Sequence, residues 1–174
     1  MAVTVGAIAT GIVNTAMHRD ESPIELKPGD QAPDFELPGS DGRIYRLKDL
    51  AGQPVAIAWF PKAFTGGCTA ECKSLGASGA SLRALKVRHF AASVDPAEAN
   101  AKFAASLGID YPILSDVTKD VARAYGVLSP SGFASRWTFY IGADGRILDI
   151  DKKVSVASHG ADVAARLAEL RVQR

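Results

Sequence analysis

The chain has 174 residues, 47% of them hydrophobic, an ordinary content for a globular core and one that argues against wholesale disorder. Twenty Lys and Arg against 19 Asp and Glu leave a formal charge of +1, so no basic surplus points to nucleic acid. Two cysteines four residues apart make no secreted disulfide framework, and the scattered His18, His89 and His159 have no metal-ligand spacing.

The composition divides the chain into an N-terminal arm over 1–26 and one domain over 27–174. Met1–Met17 carries no charge, and Ala7-Ile8-Ala9 resembles a small-residue cleavage pattern. No Lys or Arg precedes the apolar part, as a secretory signal needs, and Thr, Gly and Asn dilute it as a membrane span. Two readings stay open: a loose or partly helical arm on a cytoplasmic protein, or a signal or anchor through residues 1–17 on an exported, periplasmic or membrane-anchored one.

Ser22–Ala32, rich in proline and charge, reads as a linker. Strands are expected at Asp34–Leu37 and Arg43–Leu47, paired as a hairpin around Pro38-Gly39-Ser40-Asp41-Gly42. Leu47–Ala51 fits one helical turn. Val55–Phe60 lacks polar alternation, as a strand covered on both faces does, and Pro61 stops it. Thr65, Gly66 and Gly67 turn the backbone into a helix beginning at about Cys68. Leu75, Leu82 and Leu85 recur along it at helical spacing, and Gly76 and Gly79 each weaken it by about 1 kcal/mol relative to Ala.

His89–Val94 is the next predicted strand. Asp95-Pro96-Ala97-Glu98 reads as a helix start, with an Asp cap, Pro at the first helical position and Glu at the third, and Gly108 ends that helix. Tyr111–Leu114 is a short strand. Ser115-Asp116 leads into a helix over Lys119–Tyr125, closed by Gly126. Arg136–Ile141 and Arg146–Ile150 form a second hairpin across Gly142-Ala143-Asp144-Gly145. Val163, Leu167 and Leu170 mark a last amphipathic helix with His159 near its start. Alternating strands and helices with hairpins at both ends imply an α/β sandwich, a mixed sheet covered by helices.

The chemistry concentrates in Pro61-x-x-x-Thr65-x-x-Cys68. A cysteine at a helix start, near a cation, can ionise far below the free value of about 8.5. Thr65 can place a hydroxyl beside the sulfur or a substrate oxygen, or simply cap the helix by accepting from the Cys68 N–H. Pro61 helps shield the pocket from water, and Gly66 and Gly67 let backbone N–H groups approach closely. Such a pocket suits a thiolate attacking an O–O bond. Arg136, at the opening of a predicted strand, offers a fixed charge and a fork of donors. Lys62 reads as surface; Trp59 and Trp137 read as core or pocket wall.

These residues resemble the peroxiredoxins, specifically the peroxiredoxin Q or bacterioferritin-comigratory group. Gly29-Asp30-x-Ala32-Pro33-Asp34-Phe35-x-Leu37-Pro38 is similar to the family's opening, and Phe60-Pro61-Lys62-Ala63-x-Thr65-x-Gly67-Cys68-Thr69 to its active-site loop. Pro112-Ile113-Leu114-Ser115-Asp116, Tyr125-Gly126-Val127 and Arg136-x-Thr138-Phe139 follow in the family's order. The resemblance covers about Lys27 to Val154. It implies a thioredoxin-like fold with an N-terminal hairpin addition, and a thiol-dependent antioxidant peroxidase acting on hydrogen peroxide and organic hydroperoxides. It makes Cys68 the peroxidatic nucleophile. Thr65 and Arg136 would position peroxide, Pro61 would close the pocket, and Glu71 would bond the arginine. Cys72 would be the resolving cysteine and a thioredoxin-like dithiol the reductant. The resemblance implies no metal, flavin or haem cofactor, and a monomer or weak homodimer.

One departure stands out. The group's resolving cysteine usually lies five residues after the nucleophile; Cys72 lies four after Cys68. On a regular helix that spacing puts the Cβ atoms ~5–6 Å apart, whereas a disulfide needs about 3.5–4.5 Å. The first helical turns must therefore open for the bond to form, or Cys72 is a small core residue beside a one-cysteine cycle. Two other functions fit the cysteines. A copper-binding protein of the same fold could use Cys-x-x-x-Cys, but Phe133-Ala134-Ser135-Arg136 lacks the distal His. A thiol–disulfide oxidoreductase normally uses Cys-x-x-Cys.

Overall fold

The computed structural model describes residues 25–170. Strands β1 (Glu36–Pro38) and β2 (Ile44–Arg46) form the first hairpin, and Leu47–Leu50 makes the single helical turn as 3-10 helix. Then come β3 (Val55–Trp59), α1 (Gly66–Ala77), α2 (Gly79–Ala84), β4 (Arg88–Ser93), α3 (Ala97–Leu107) and β5 (Ile113–Ser115). The chain closes with α4 (Asp120–Ala124), β6 (Thr138–Ile141), β7 (Ile147–Asp151) and α5 (His159–Glu169).

The main sheet runs β5-β4-β3-β6-β7. β3, β4 and β5 are parallel, joined by crossovers that carry the helices, while β6 and β7 return antiparallel through a hairpin. β3 is central and wholly buried, and its two faces feed different cores. Val55, Ile57 and Trp59 point to one side, with Phe35, Tyr45, Ala122, Tyr125 and Phe139 from the first hairpin, α4 and β6. Ala56, Ala58 and Phe60 point to the other, with Cys68, Cys72, Leu75, Leu82, Phe103, Val163 and Leu167 from α1, α2, α3 and α5. The period of two along a strand thus explains why this segment carries no polar residue. A bridge from Gly39 to Leu114 ties the first hairpin to the edge strand β5, a common way to cover an open edge.

Several expectations shift. The helix from Cys68 begins two residues earlier and is broken at Ser78 (φ −91°, ψ 4°), so Leu82 belongs to a separate helix and Leu85 caps it. Arg136 precedes its strand by two residues rather than opening it. Pro96, not Asp95, is the N-cap of α3, and the Asp95 carboxylate turns to the backbone N–H of Ala63 (2.9 Å). Gly108 ends α3 as expected, in the left-handed conformation (φ 62°) that glycine adopts without steric cost. Residues 1–24, with His18 and the signal-or-anchor reading, lie outside the described residues. Among the described residues no helix is long and apolar enough to cross a membrane.

Candidate active site

The site lies where β3 ends and α1 begins. Phe60 is still tied to the sheet through its N–H to Ala92 O (2.9 Å); Pro61, half-buried, then ends the strand. Phe64 takes φ +62°, a left-handed conformation costing on the order of 1–3 kcal/mol for a non-glycine residue. Two contacts hold the loop in that shape. One is the Ala63–Asp95 hydrogen bond. The other is the packing of the Phe64 ring on Phe103, with centroids 5.0 Å apart.

Thr65 is the N-cap residue by position, and its carbonyl accepts the first helical bond from Thr69 N–H (2.9 Å). Its side chain does not cap the helix, contrary to one reading of the sequence. The hydroxyl donates instead to Lys62 O (3.0 Å). The Thr65 oxygen thereby keeps its acceptor capacity, and the N–H groups of the first turn keep theirs as donors.

Cys68, in that first turn, is 1% exposed. Arg136, 68 residues later, reaches it across the sheet: Nη2 lies 3.3 Å from Sγ. The same guanidinium donates through Nη1 to Glu71 Oε2, one turn further along α1. Glu71 is as buried as Cys68, and Arg136 retains 23% side-chain exposure. A carboxylate so buried stays only if it is paired, and the arginine's fork pairs it while presenting a second N–H to the sulfur. Gly67 leaves room for this: a Cβ there would sit 3.4 Å from Arg136 Nη2.

Cys72 lies one turn deeper, also 1% exposed, and both thiols are free. Burial pushes the Cys72 thiol up to about 12. Its carbonyl accepts a hydrogen bond from the buried Tyr111 hydroxyl (2.8 Å), which pins this turn of α1 to the sheet side. Both cysteines lie within the continuous helix α1.

Of the residues singled out from sequence, Cys68, Arg136 and Glu71 meet directly. Pro61 and Thr65 stand at the mouth of the same loop, and Cys72 sits beneath. Lys62 is exposed, over the Phe133 ring (5.4 Å), and Trp59 is core; Trp137 is half-buried under Lys152. Asp95 and His159 were missed as parts of the site. Asp95 carries the sequence signature of a helix cap, and His159 lies 88 positions from Glu71, so neither showed a local signal. A depression of about 510 Å³ elsewhere, between Leu47, Val55, Ile141 and Gly145, touches none of these residues. The copper alternative finds no support in the donor set: among the described residues no group of three or more His, Cys, Asp and Glu side chains is placed to hold a metal ion.

The chain is similar in sequence and fold to known proteins. The family model described as the AhpC/TSA family matches residues 28–150. Peroxiredoxin Bcp of Escherichia coli strain K12 is 33% identical over 141 residues, covering 77% of this chain and 90% of that protein. The crystal structure of peroxidoxin BcpB from Mycobacterium tuberculosis shares 35% identity with a TM-score of 0.76, over 86% of this chain and 99% of that one. Peroxiredoxin Q of Xanthomonas campestris aligns at 27% identity and a TM-score of 0.73, over 78% and 90% of the two chains. The mixed sheet and its helices are therefore a thioredoxin-like fold of the peroxiredoxin kind. With family model, relatives and fold in agreement, the chain belongs to the AhpC/TSA family and is an oxidoreductase, a peroxidase of the peroxiredoxin type.

Proposed function

We propose that the protein reduces hydrogen peroxide and organic hydroperoxides through a sulfenic acid at Cys68. The observation that carries this reading is the double engagement of Arg136, to Glu71 through one N–H and to the Cys68 sulfur through another. A fixed positive charge 3.3 Å from Sγ is complementary to a thiolate and to the RO⁻ oxygen that departs when the O–O bond breaks. The thiolate attacks the distal, O–H-bearing peroxide oxygen to form the sulfenic acid, the O–O bond breaks, and RO⁻ departs to be protonated as ROH. Thr65 accepts from the hydroperoxide O–H, the first-turn N–H groups and Arg136 donate to the two oxygens, and Pro61 limits water at the mouth.

Cys72 then condenses with the Cys68 sulfenic acid, forming the S–S bond and releasing water. A thiol held near 12 is not a nucleophile at neutral pH, so this step requires α1 to open and bring Cys72 to solvent. Peroxiredoxins in general are recycled by thioredoxin-type reductants, and a dithiol of that kind completes this cycle by exchange. The protein acts as a monomer or weak homodimer in this scheme.

The test is peroxide turnover coupled to thioredoxin and its reductase. Wild type turns over. Cys68→Ser consumes nothing. Cys72→Ser consumes one equivalent of peroxide and accumulates a sulfenic acid that a dimedone-type reagent labels. An equal loss of the first oxidation in both variants contradicts the assigned roles.

A further inference from the structure

Glu71 has two oxygens, and Arg136 satisfies one of them. The other, Oε1, lies 3.3 Å from Nδ1 of His159, and neither of these two buried atoms has a hydrogen-bond partner among the described residues. On the far side of the ring, Nε2 lies 2.8 Å from Thr138 Oγ1. His159 is 1% exposed and is the first residue of α5; Thr138 is the first of β6, two positions after Arg136. Three elements thus converge on one carboxylate: α1 supplies Glu71, the entry to β6 supplies Arg136 and Thr138, and α5 supplies His159.

The contact is built into the packing of the helices. A Cβ on Gly160 would come 2.0 Å from the Ser74 carbonyl oxygen, so only glycine lets α5 start this close to α1. The Gly160 N–H donates to Ser74 Oγ (3.0 Å) at the same place. The adjacent residue, His159, is thereby pressed against Glu71.

Chemistry selects the ring's tautomer. A neutral imidazole carries one N–H, and a threonine hydroxyl can donate or accept. If Thr138 donates to Nε2, the ring proton sits on Nδ1 and faces the carboxylate. The opposite tautomer sets the Nδ1 lone pair against carboxylate lone pairs. Burial favours the neutral ring, lowering it to about 4, with Asp151 and Asp162 pulling the other way and Arg136 adding to the lowering. Those groups and Glu71 are the charges that face it, from β7, α5, the entry to β6, and α1.

We propose that His159, in its Nδ1–H tautomer, is a positioning residue that holds the Glu71 carboxylate in the orientation that presents Arg136 to the Cys68 sulfur. The line runs from Thr138 through His159, Glu71 and Arg136 to Cys68. A carboxylate held from one side only can rotate, and the guanidinium rotates with it, carrying Nη2 away from Sγ. This inference rests on Cys68 being the peroxide-reactive thiol.

Two measurements test it. Long-range ¹H–¹⁵N NMR of the ¹⁵N-labelled wild-type protein at pH 7 reads the tautomer directly. Nδ1 protonated with Nε2 bare is expected; the reverse tautomer, or a doubly protonated ring, overturns the proposal. Stopped-flow oxidation of Cys68 by hydrogen peroxide then compares His159→Phe with His159→Asn, whose side-chain amide can stand where Nδ1–H stood. His159→Phe is expected to react about 10-fold more slowly, and His159→Asn within about threefold of wild type. A wild-type rate in His159→Phe, or an equal fall in both variants, makes the contact one of packing and overturns it. Should His159→Phe not fold, the tautomer and the His159→Asn rate decide. A wild type that does not react with peroxide at Cys68 would instead sink the underlying reading, and the tautomer result separates the two failures.

Discussion

Arg136 joins two chemically different acceptors, a buried carboxylate and a sulfur, through separate nitrogens of one rigid fork. No lysine can reproduce that, because a single ammonium at the end of a flexible stem cannot hold both positions. Arg136→Lys is therefore expected to slow the first oxidation of Cys68 by at least about 10-fold, read by stopped-flow kinetics. Stability responds as well. Arg136→Ala leaves Glu71 at 1% exposure without its counter-charge, which costs on the order of 3 kcal/mol, measured from urea midpoints. The double variant Arg136→Ala/Glu71→Gln recovers part of that loss, since the uncompensated charge is then gone; a strictly additive double variant would show that the two residues do not communicate.

At the scale of elements, α1 has two opposed requirements. It must be intact to place Cys68 beside Arg136, and it must open if Cys68 and Cys72 are to join. Its restraints are visible: the Tyr111 hydroxyl on the Cys72 carbonyl, and the close seat of α5 at Gly160. Gly76, read from sequence as a weakening of the helix, also has a packing reason, because a Cβ there would press on Ile109 Cγ2 at 3.2 Å. Oxidation with one equivalent of peroxide is expected to yield a Cys68–Cys72 disulfide by peptide mapping, together with a loss of helical circular dichroism. A persistent sulfenic acid with free Cys72 would mean a one-cysteine cycle. Gly160→Ala forces α1 and α5 apart and is expected to cost about 2–3 kcal/mol in thermal or urea unfolding. Ala at the exposed Gly66, where no atom lies within 4 Å of a Cβ, is the matching control.

At the scale of the whole molecule, two histidines are stored neutral in the interior. Burial lowers both His89 and His159 to about 4, from an unfolded value near 6.5. The unfolded chain therefore binds more protons than the folded one between those values. Stability is complete above about pH 6.5 and falls as pH drops toward 4. Between pH 7 and pH 5 the loss is on the order of 1–2 kcal/mol for each histidine, and urea midpoints across that range measure it. His89→Phe keeps a ring packed against Tyr111 (5.0 Å between centroids in the wild type) and should flatten about half of the slope.

The sequence by itself determined what depends on local order along the chain. The unbroken apolar run Val55–Phe60 meant a strand covered on both faces, and the structure divides its alternate residues between two cores. Gly108 and Gly145 marked the ends and turns where a left-handed backbone is needed. Pro61, Thr65 and Cys68 could be read as one loop because a turn into a helix start is a matter of a few consecutive residues. Arg136 was legible through the resemblance to a family and through the donors it carries, but not its distance from the sulfur. Only the tertiary structure decided the rest. Asp95 spells a helix cap, yet folding presents it with a loop N–H to satisfy and it turns there. Thr65 spells a cap too, yet its hydroxyl donates to the Lys62 carbonyl and makes no cap hydrogen bond. His159 meets Glu71 only because the absence of a side chain at Gly160 lets two helices, distant in sequence, touch. Local spacing carries no information on such meetings, because they are set by which faces the core brings together.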